Sequence, residues 1–182
     1  ALSAVEVELQ VVLNLPPLPR HPTTLVLALP RPKMLRRVLR SCAEFGVQDI
    51  HLINSYRGEK SFWQSPLLGP QRLRQALLAG LERAGDTRLP RVQCHQRFKP
   101  FIEDELKSLL GAEPFYIAHP GPYPMLDPSS ASRHWVAIGP EGGFIPFELD
   151  LMSQQGGQLC SLGEHILSVD TTVPAVLGRA LR

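Results

Sequence analysis

Ala137-Ile-Gly-Pro-Glu-Gly-Gly-Phe144 is the stretch from which the rest of this 182-residue chain is read. The apolar run Trp135-Val-Ala-Ile138 enters it and predicts a buried strand. Ile145-Pro-Phe-Glu-Leu-Asp150 leaves it and predicts a helix start, with Pro146 in the first turn and acids near the N-terminus. A glycine-rich turn therefore joins the carboxyl end of a strand to a helix, which is where open α/β sheets bind ligands. Glycines there let the backbone take φ > 0 and approach a ligand closely. Glu141 is the only charge in the turn and suits a donor-rich ligand better than a phosphate. No Lys-Ser/Thr follows the glycines, and the spacing is not G-x-G-x-x-G. A ligand-binding turn and a plain strand–helix turn fit this composition equally well.

On either side the chain alternates strands with helices. Leu25–Leu29, Asp49–Ile53, Arg91–His95, Phe115–Ala118 and Gln158–Leu162 read as further strands. Helices are predicted from Lys33 to Phe45, from Pro70 to about Ala84, from Pro100 to Gly111, and from about Asp170 onward, with Thr171, Thr172 and Pro174 in its first turn. This order predicts an α/β fold with a mainly parallel sheet flanked by helices. Its late strands end in three unusual loops: His119-Pro-Gly-Pro122, Gly139-Pro-Glu-Gly-Gly143 and Ser161-Leu-Gly-Glu-His165. Three loops at one sheet edge can form one pocket.

Near the start, Ala4-Val-Glu-Val-Glu-Leu-Gln-Val-Val-Leu13 alternates apolar and polar residues and predicts a half-buried strand. A proline-rich linker follows, Leu15 to Pro22. A lone amphipathic strand cannot bury its apolar face, so residues 1–22 are expected to be the last strand of a β domain plus a linker. Residues 23–182 are expected to be the α/β domain.

Composition excludes several classes. Net charge is only +2, so any nucleic-acid surface must be local. Cys42, Cys94 and Cys160 show no metal spacing and sit in apolar contexts, so buried free thiols, no metal and a reducing cytoplasmic compartment are expected. No run of about 18 apolar residues exists, so no membrane span is expected. Lys33, Arg36, Arg37 and Arg40 fall on one helical face. That face is either solvated or placed for a phosphate backbone. Asn54 to Trp63 mixes Arg57 and Lys60 with Tyr56, Phe62 and Trp63, which suits either a packed loop or stacking on an unpaired base.

Ile138-Gly-Pro-Glu-Gly-Gly143, followed by Ser161-Leu-Gly163, Ile166-Leu167 and Asp170-Thr-Thr172, resembles the RsmE family of the SPOUT superfamily. Lys33-Met34, Glu44-Phe-Gly-Val47 and Arg57 also stand where that family has similar residues. The resemblance covers roughly residues 24–182. It implies methylation of N3 of a uridine in small-subunit ribosomal RNA, with S-adenosylmethionine as cofactor. It implies a C-terminal trefoil knot, a homodimer packed through the knot, and a preceding PUA-like β domain. By position, it implies that His119, Ile138, Gly139, Glu141, Gly142, Ser161, Leu162, Gly163, Ile166, Leu167 and Thr171 line the cofactor site. Arg57 is the candidate catalytic cation. Lys33, Arg36, Arg37, Arg40, Arg57 and Lys60 are the candidate RNA contacts. The family's Leu-Arg-Thr-Glu-Thr loop reads Leu167-Ser-Val-Asp-Thr171 here, so a serine replaces its arginine and an aspartate its glutamate. Its Glu-Gln-x-Gly-Arg pattern reads Glu82-Arg-Ala-Gly-Asp86.

N3 methylation requires an aligned nucleophile and help in removing the N3 proton, from a base or from a cation that stabilises the uracil anion. His165 is a possible base. The competing class is an RNA-binding protein that keeps the fold without the chemistry. A hydrolase is disfavoured by the lack of a G-x-S-x-G elbow.

Overall fold

The computed structural model describes residues 6–12, 14–128 and 133–181. Six strands form one all-parallel sheet: β1 (Thr23–Ala28), β2 (Asp49–Ile53), β3 (Arg91–His95), β4 (Phe115–Ala118), β5 (His134–Ile138) and β6 (Gly157–Cys160). Their order across the sheet is β3-β2-β1-β5-β4-β6. Strand order reverses between β1 and β5, whose registers pair Val26 with Ala137 and Leu27 with Ile138. Strands that are buried on both faces read as continuous apolar runs, and β1, β2 and β5 are buried along their whole length.

The helices cover both faces. α1 (Pro32–Glu44) buries Met34, Leu35, Val38, Leu39, Cys42 and Ala43, the three-and-four spacing of one helical stripe. It packs on α2 (Pro70–Ala84), which Gly85 ends in the left-handed region at φ 67°. The opposite face is covered by α3, residues 98–110. Its middle, Phe101–Leu106, is a π-helical turn between short α-helical pieces. Its start lies at Phe98 rather than at Pro100, so the proline occupies the third helical position, where its missing N–H costs no helical bond. α4 (Pro146–Gln154) follows the central turn, and α5 (Val169–Gly178) ends the fold. Pro174 sits inside α5 rather than in its first turn.

Two sequence expectations are corrected. Residues 6–12 form no strand apart from a single bridge position at Val7, and Val7, Leu9, Val11 and Val12 are exposed. An amphipathic strand needs a sheet to pair with, and none of this sheet's edges receives it. The remaining positions of that expected strand, Ala4, Val5 and Leu13, lie outside the described residues. Cys42 and Cys160 are buried as expected, but Cys94 is exposed. It lies on edge strand β3, where an apolar local sequence does not guarantee a covering layer.

The chain between β4 and β5 crosses the end of β6. Successive residues of a strand direct their N–H and C=O groups to opposite sides. Cys160 accepts from His119 N (3.0 Å) on the β4 side, whereas Ser161 donates to Pro124 O (2.8 Å) and accepts from Leu126 N (2.8 Å). Residues 119–126 therefore arch across the carboxyl end of β6, with β4 on one flank and Met125 paired to Ser161 on the other. The segment that leaves β6 must pass this arch before it turns into α5, the kind of crossing that ordinary α/β connections avoid.

Candidate functional site

Gly139 to Gly143 folds as a tight turn, closed by Gly143 N donating to Pro140 O at 2.8 Å. Gly143 takes φ +71°, a conformation that side chains rarely adopt. A Cβ on Gly139 would lie 3.1 Å from Phe144 N and 3.2 Å from its ring. Both positions thus require glycine, one for its dihedral and the other for its neighbour.

The three special loops converge. A cavity of about 300 Å³ opens at the carboxyl ends of β4, β5 and β6. His119, Ile138, Gly139, Glu141, Ser161, Leu162, Gly163, Ile166 and Leu167 all border it. Gly142 and Thr171 do not. Gly142 faces outward and its carbonyl accepts from Arg57 Nη1 at 2.5 Å. Thr171 bonds Ser168 Oγ at 3.0 Å, and Thr172, one residue on, reaches the cavity instead. Helical rotation of about 100° per residue separates these two neighbours. The motif reading also missed Phe144, Ser168 and Val169 on the wall. Ser168 adjoins Leu167, which was identified, while Phe144 and Val169 adjoin only Gly143 and Asp170 of the quoted motifs.

Each loop is held by its own bonds. Ser161 Oγ donates to Gly163 O (3.0 Å) and accepts from Gly163 N (3.1 Å), so it shapes the turn. His119 Nδ1 lies 2.8 Å from Pro120 O. A carbonyl only accepts, so Nδ1 carries the hydrogen and the neutral ring keeps Nε2 as an acceptor. That atom lies beside Gly143. His165 borders the cavity as well, while Ile166 is 82% exposed at its mouth.

The last loop binds itself to α1. Ser168 Oγ donates to Asp170 Oδ1 (2.7 Å), and Arg37 Nη1 pairs with Asp170 Oδ2 (3.1 Å). The serine hydrogen bond first, and Arg37 after it, hold the Asp170 carboxyl below its ordinary value. The two positions that depart from the family pattern are thus joined to each other.

On the basic face, Lys33, Arg36 and Arg37 are exposed, as expected of a stripe. Arg37 is committed to Asp170 and Arg40 to Glu44 at 3.0 Å. Lys60 is exposed in a short turn, Lys60–Gln64, and borders neither cavity described here. Among the aromatics of its loop, Tyr56 is 80% exposed. Phe62 and Trp63 pack partly against the core, with Trp63 Nε1 bonded to Asn54 Oδ1 at 3.1 Å.

Sequence alone marks Glu148 only as a helix-start acid. It is 2% exposed, and its carboxylate accepts from Tyr56 N (2.8 Å) and from Ile145 N (3.0 Å). One oxygen caps α4 and the other fixes the Arg57 loop. Its spacing from the turn, three residues after the helix N-cap, is the one signal that could have found it.

A family model described as RNA methyltransferase domain matches residues 16–181. The chain belongs to the RNA methyltransferase domain family. Within that family it is 30% identical over 158 residues to the ribosomal RNA small subunit methyltransferase E of Treponema pallidum, covering 85% of this chain and 59% of that protein. It is 28% identical over 159 residues to the protein of the same name in Synechocystis, covering 85% of this chain and 51% of the relative. The chain thus spans between half and three fifths of these relatives. These names are those of the RsmE proteins that the central turn resembles.

A ribosomal RNA small subunit methyltransferase E from Neisseria gonorrhoeae, solved bound to S-adenosyl methionine, superposes with a TM-score of 0.72 at 19% identity. That match covers 86% of this chain and 63% of the other. A Legionella pneumophila methyltransferase solved with the same cofactor gives 0.69 at 21% identity, covering 86% of this chain and 65% of that one. The parallel α/β architecture of this RNA methyltransferase domain is thus the SPOUT-like one.

Proposed function

We propose that this chain carries the methyl-transferring domain of an S-adenosylmethionine-dependent enzyme that modifies N3 of a uridine in small-subunit ribosomal RNA. The observation that carries the reading is the convergence of the three motif loops on one cavity. Its volume of about 300 Å³ lies within the range of small-ligand sites. Ile138, Leu162 and Leu167 supply apolar wall for an adenine. The glycine turn brings main-chain groups close without side chains in the way. When bound, the cofactor supplies an activated methyl group, so the chain needs no metal for the chemistry.

The protein's own share is positioning and proton management. Arg57, held across the turn by Gly142 O, places a positive charge on the outer side of the glycine turn, where it favours the anionic form of a uracil ring. His119 Nε2 offers an acceptor at the cavity wall. Lys33, Arg36 and Lys60 serve RNA phosphates, whereas Arg37 and Arg40 are held in ion pairs with Asp170 and Glu44. Two copies pack through the knotted region. Small-subunit RNA as substrate places the protein in the cytoplasm.

The test supplies the protein with radiolabelled S-adenosylmethionine and small ribosomal subunits that lack the modification, then digests the RNA to nucleosides. Labelled N3-methyluridine is expected. Arg57→Ala is expected to slow transfer by roughly 100-fold while leaving cofactor affinity unchanged. Ser168 and Asp170, where the family has arginine and glutamate, favour a second reading as an RNA-binding protein without catalysis. RNA binding and cofactor binding with no transfer to any RNA would establish that alternative.

A further inference from the structure

A second cavity, of about 360 Å³, lies at the carboxyl ends of β1, β2 and β5. It sits at the point where strand order reverses, the crevice that doubly wound sheets use for ligands. It is bordered by Arg31, which precedes α1, by Arg57, Glu59 and Phe62 from the loop after β2, and by Pro140 and Glu141 from the central turn. Pro140 and Glu141 also border the first cavity. The two spaces therefore adjoin at Pro140 and Glu141.

We propose that this second cavity is the acceptor subsite, which takes an unpaired uracil base and sets the choice of base through Arg31, Phe62 and a carboxylate. The inference rests on the methyl-transfer reading and deepens it. Uracil's reactive edge offers an acceptor, a donor and an acceptor: O4, N3–H and O2. Guanidinium groups donate only, and carboxylates accept only. A site holding Arg31, Arg57 and the carboxylates of Glu59 and Glu141 carries the complementary set. Cytosine presents its amino donor, then N3 and O2 as acceptors, and so finds no partner for N3 on a carboxylate. Glu141 stands where the two cavities adjoin, so an edge turned toward the first cavity is turned toward Glu141. Phe62 supplies a flat face for stacking, the interaction through which single-stranded bases are commonly held.

The experiment uses the protein saturated with S-adenosylhomocysteine and two pentaribonucleotides that differ only in a central uridine or cytidine. Binding is followed by amide chemical shifts and by fluorescence anisotropy. Shifts are expected at Gly58, Phe62 and Glu141 with the uridine strand, with affinity at least about fivefold above that for the cytidine strand. Phe62→Ala is expected to weaken uridine binding by about tenfold. Arg31→Ala, an exposed position, is expected to erase most of the base preference while Tm stays unchanged. Both variants are expected to bind S-adenosylhomocysteine as the parent does. Shifts confined to other surfaces, equal binding of the two strands, or variants that bind like the parent would overturn the proposal. Loss of S-adenosylhomocysteine binding by the parent protein would instead sink the methyl-transfer reading on which it rests.

Discussion

The carboxylate of Glu148 accepts a hydrogen bond from the backbone N–H of Tyr56 at 2.8 Å, across a sequence separation of 92 residues. The bond ties the loop that carries Arg57 to the first turn of the helix behind the central turn. Arg57 reaches Gly142 O from that anchored loop. Glu148→Ala removes the partner of two part-buried N–H groups, which costs about 1–3 kcal/mol. Urea unfolding is expected to show that loss, and methyl transfer is expected to fall further than cofactor affinity does. Equal losses in transfer and in cofactor affinity would show that Glu148 supports the turn without placing the Arg57 loop.

At Gly139 a larger side chain has nowhere to go. Its Cβ alone already meets Phe144 N at 3.1 Å. Gly139→Val is expected to weaken S-adenosylmethionine binding by at least about tenfold in calorimetric titration, because it both shifts Phe144 and fills the cavity wall. Far-ultraviolet circular dichroism is expected to stay unchanged. Unaltered affinity in a folded variant would place the cofactor elsewhere.

The basic helix separates cations that are available from those already engaged. Lys33 and Arg36 have no partner among the described residues, whereas Arg37 and Arg40 pair with Asp170 and Glu44. Removing Lys33 or Arg36 is expected to weaken RNA binding at every sequence and to lower the salt slope by about one per cation removed. Arg40→Ala is expected to leave that slope unchanged. The measurement is RNA affinity across a salt series.

Stability is expected to fall in acid through a histidine that the chemistry does not use. His51 is 2% exposed, lies 3.0 Å from His95, and stacks near Trp135. Burial, followed by the neighbouring His95, pushes it down to about 4. His95 is lowered as well, chiefly by burial. The folded state therefore holds the neutral ring, while the unfolded chain binds a proton below about pH 6.5. Stability is complete above that value and declines as pH drops toward 4, by on the order of 3 kcal/mol for His51. Urea midpoints at pH 7 and pH 4.5 test this. His51→Phe is expected to flatten the difference.

Most of the fold was legible because its strands are buried on both faces and its helices carry regular apolar stripes. The bounds of β3 follow directly from Arg91-Val-Gln-Cys-His95, although its exposure does not. Edge position is a property of strand order, and no local pattern encodes it. The start of α3 was misplaced because Pro100 announces a first turn, and a proline at the third helical position is equally free of cost. Gly142 and Thr171 were assigned to the cavity because a motif gives neighbours without giving the direction each one faces. Glu148 was invisible for a different reason. Its importance comes from Tyr56, which is remote in sequence and contributes only a backbone N–H.

The arch formed by residues 119–126 gives the domain a fixed order of completion during synthesis. β1, β2 and β3 can pair as soon as they emerge, but the arch has nothing to cross until β6 has been made. The wall supplied by residues 161–172 arrives later still. A nascent chain that has not yet delivered those residues has all six strands but lacks one wall of the cavity. The cavity is therefore completed only by residues that are made after every strand of the sheet.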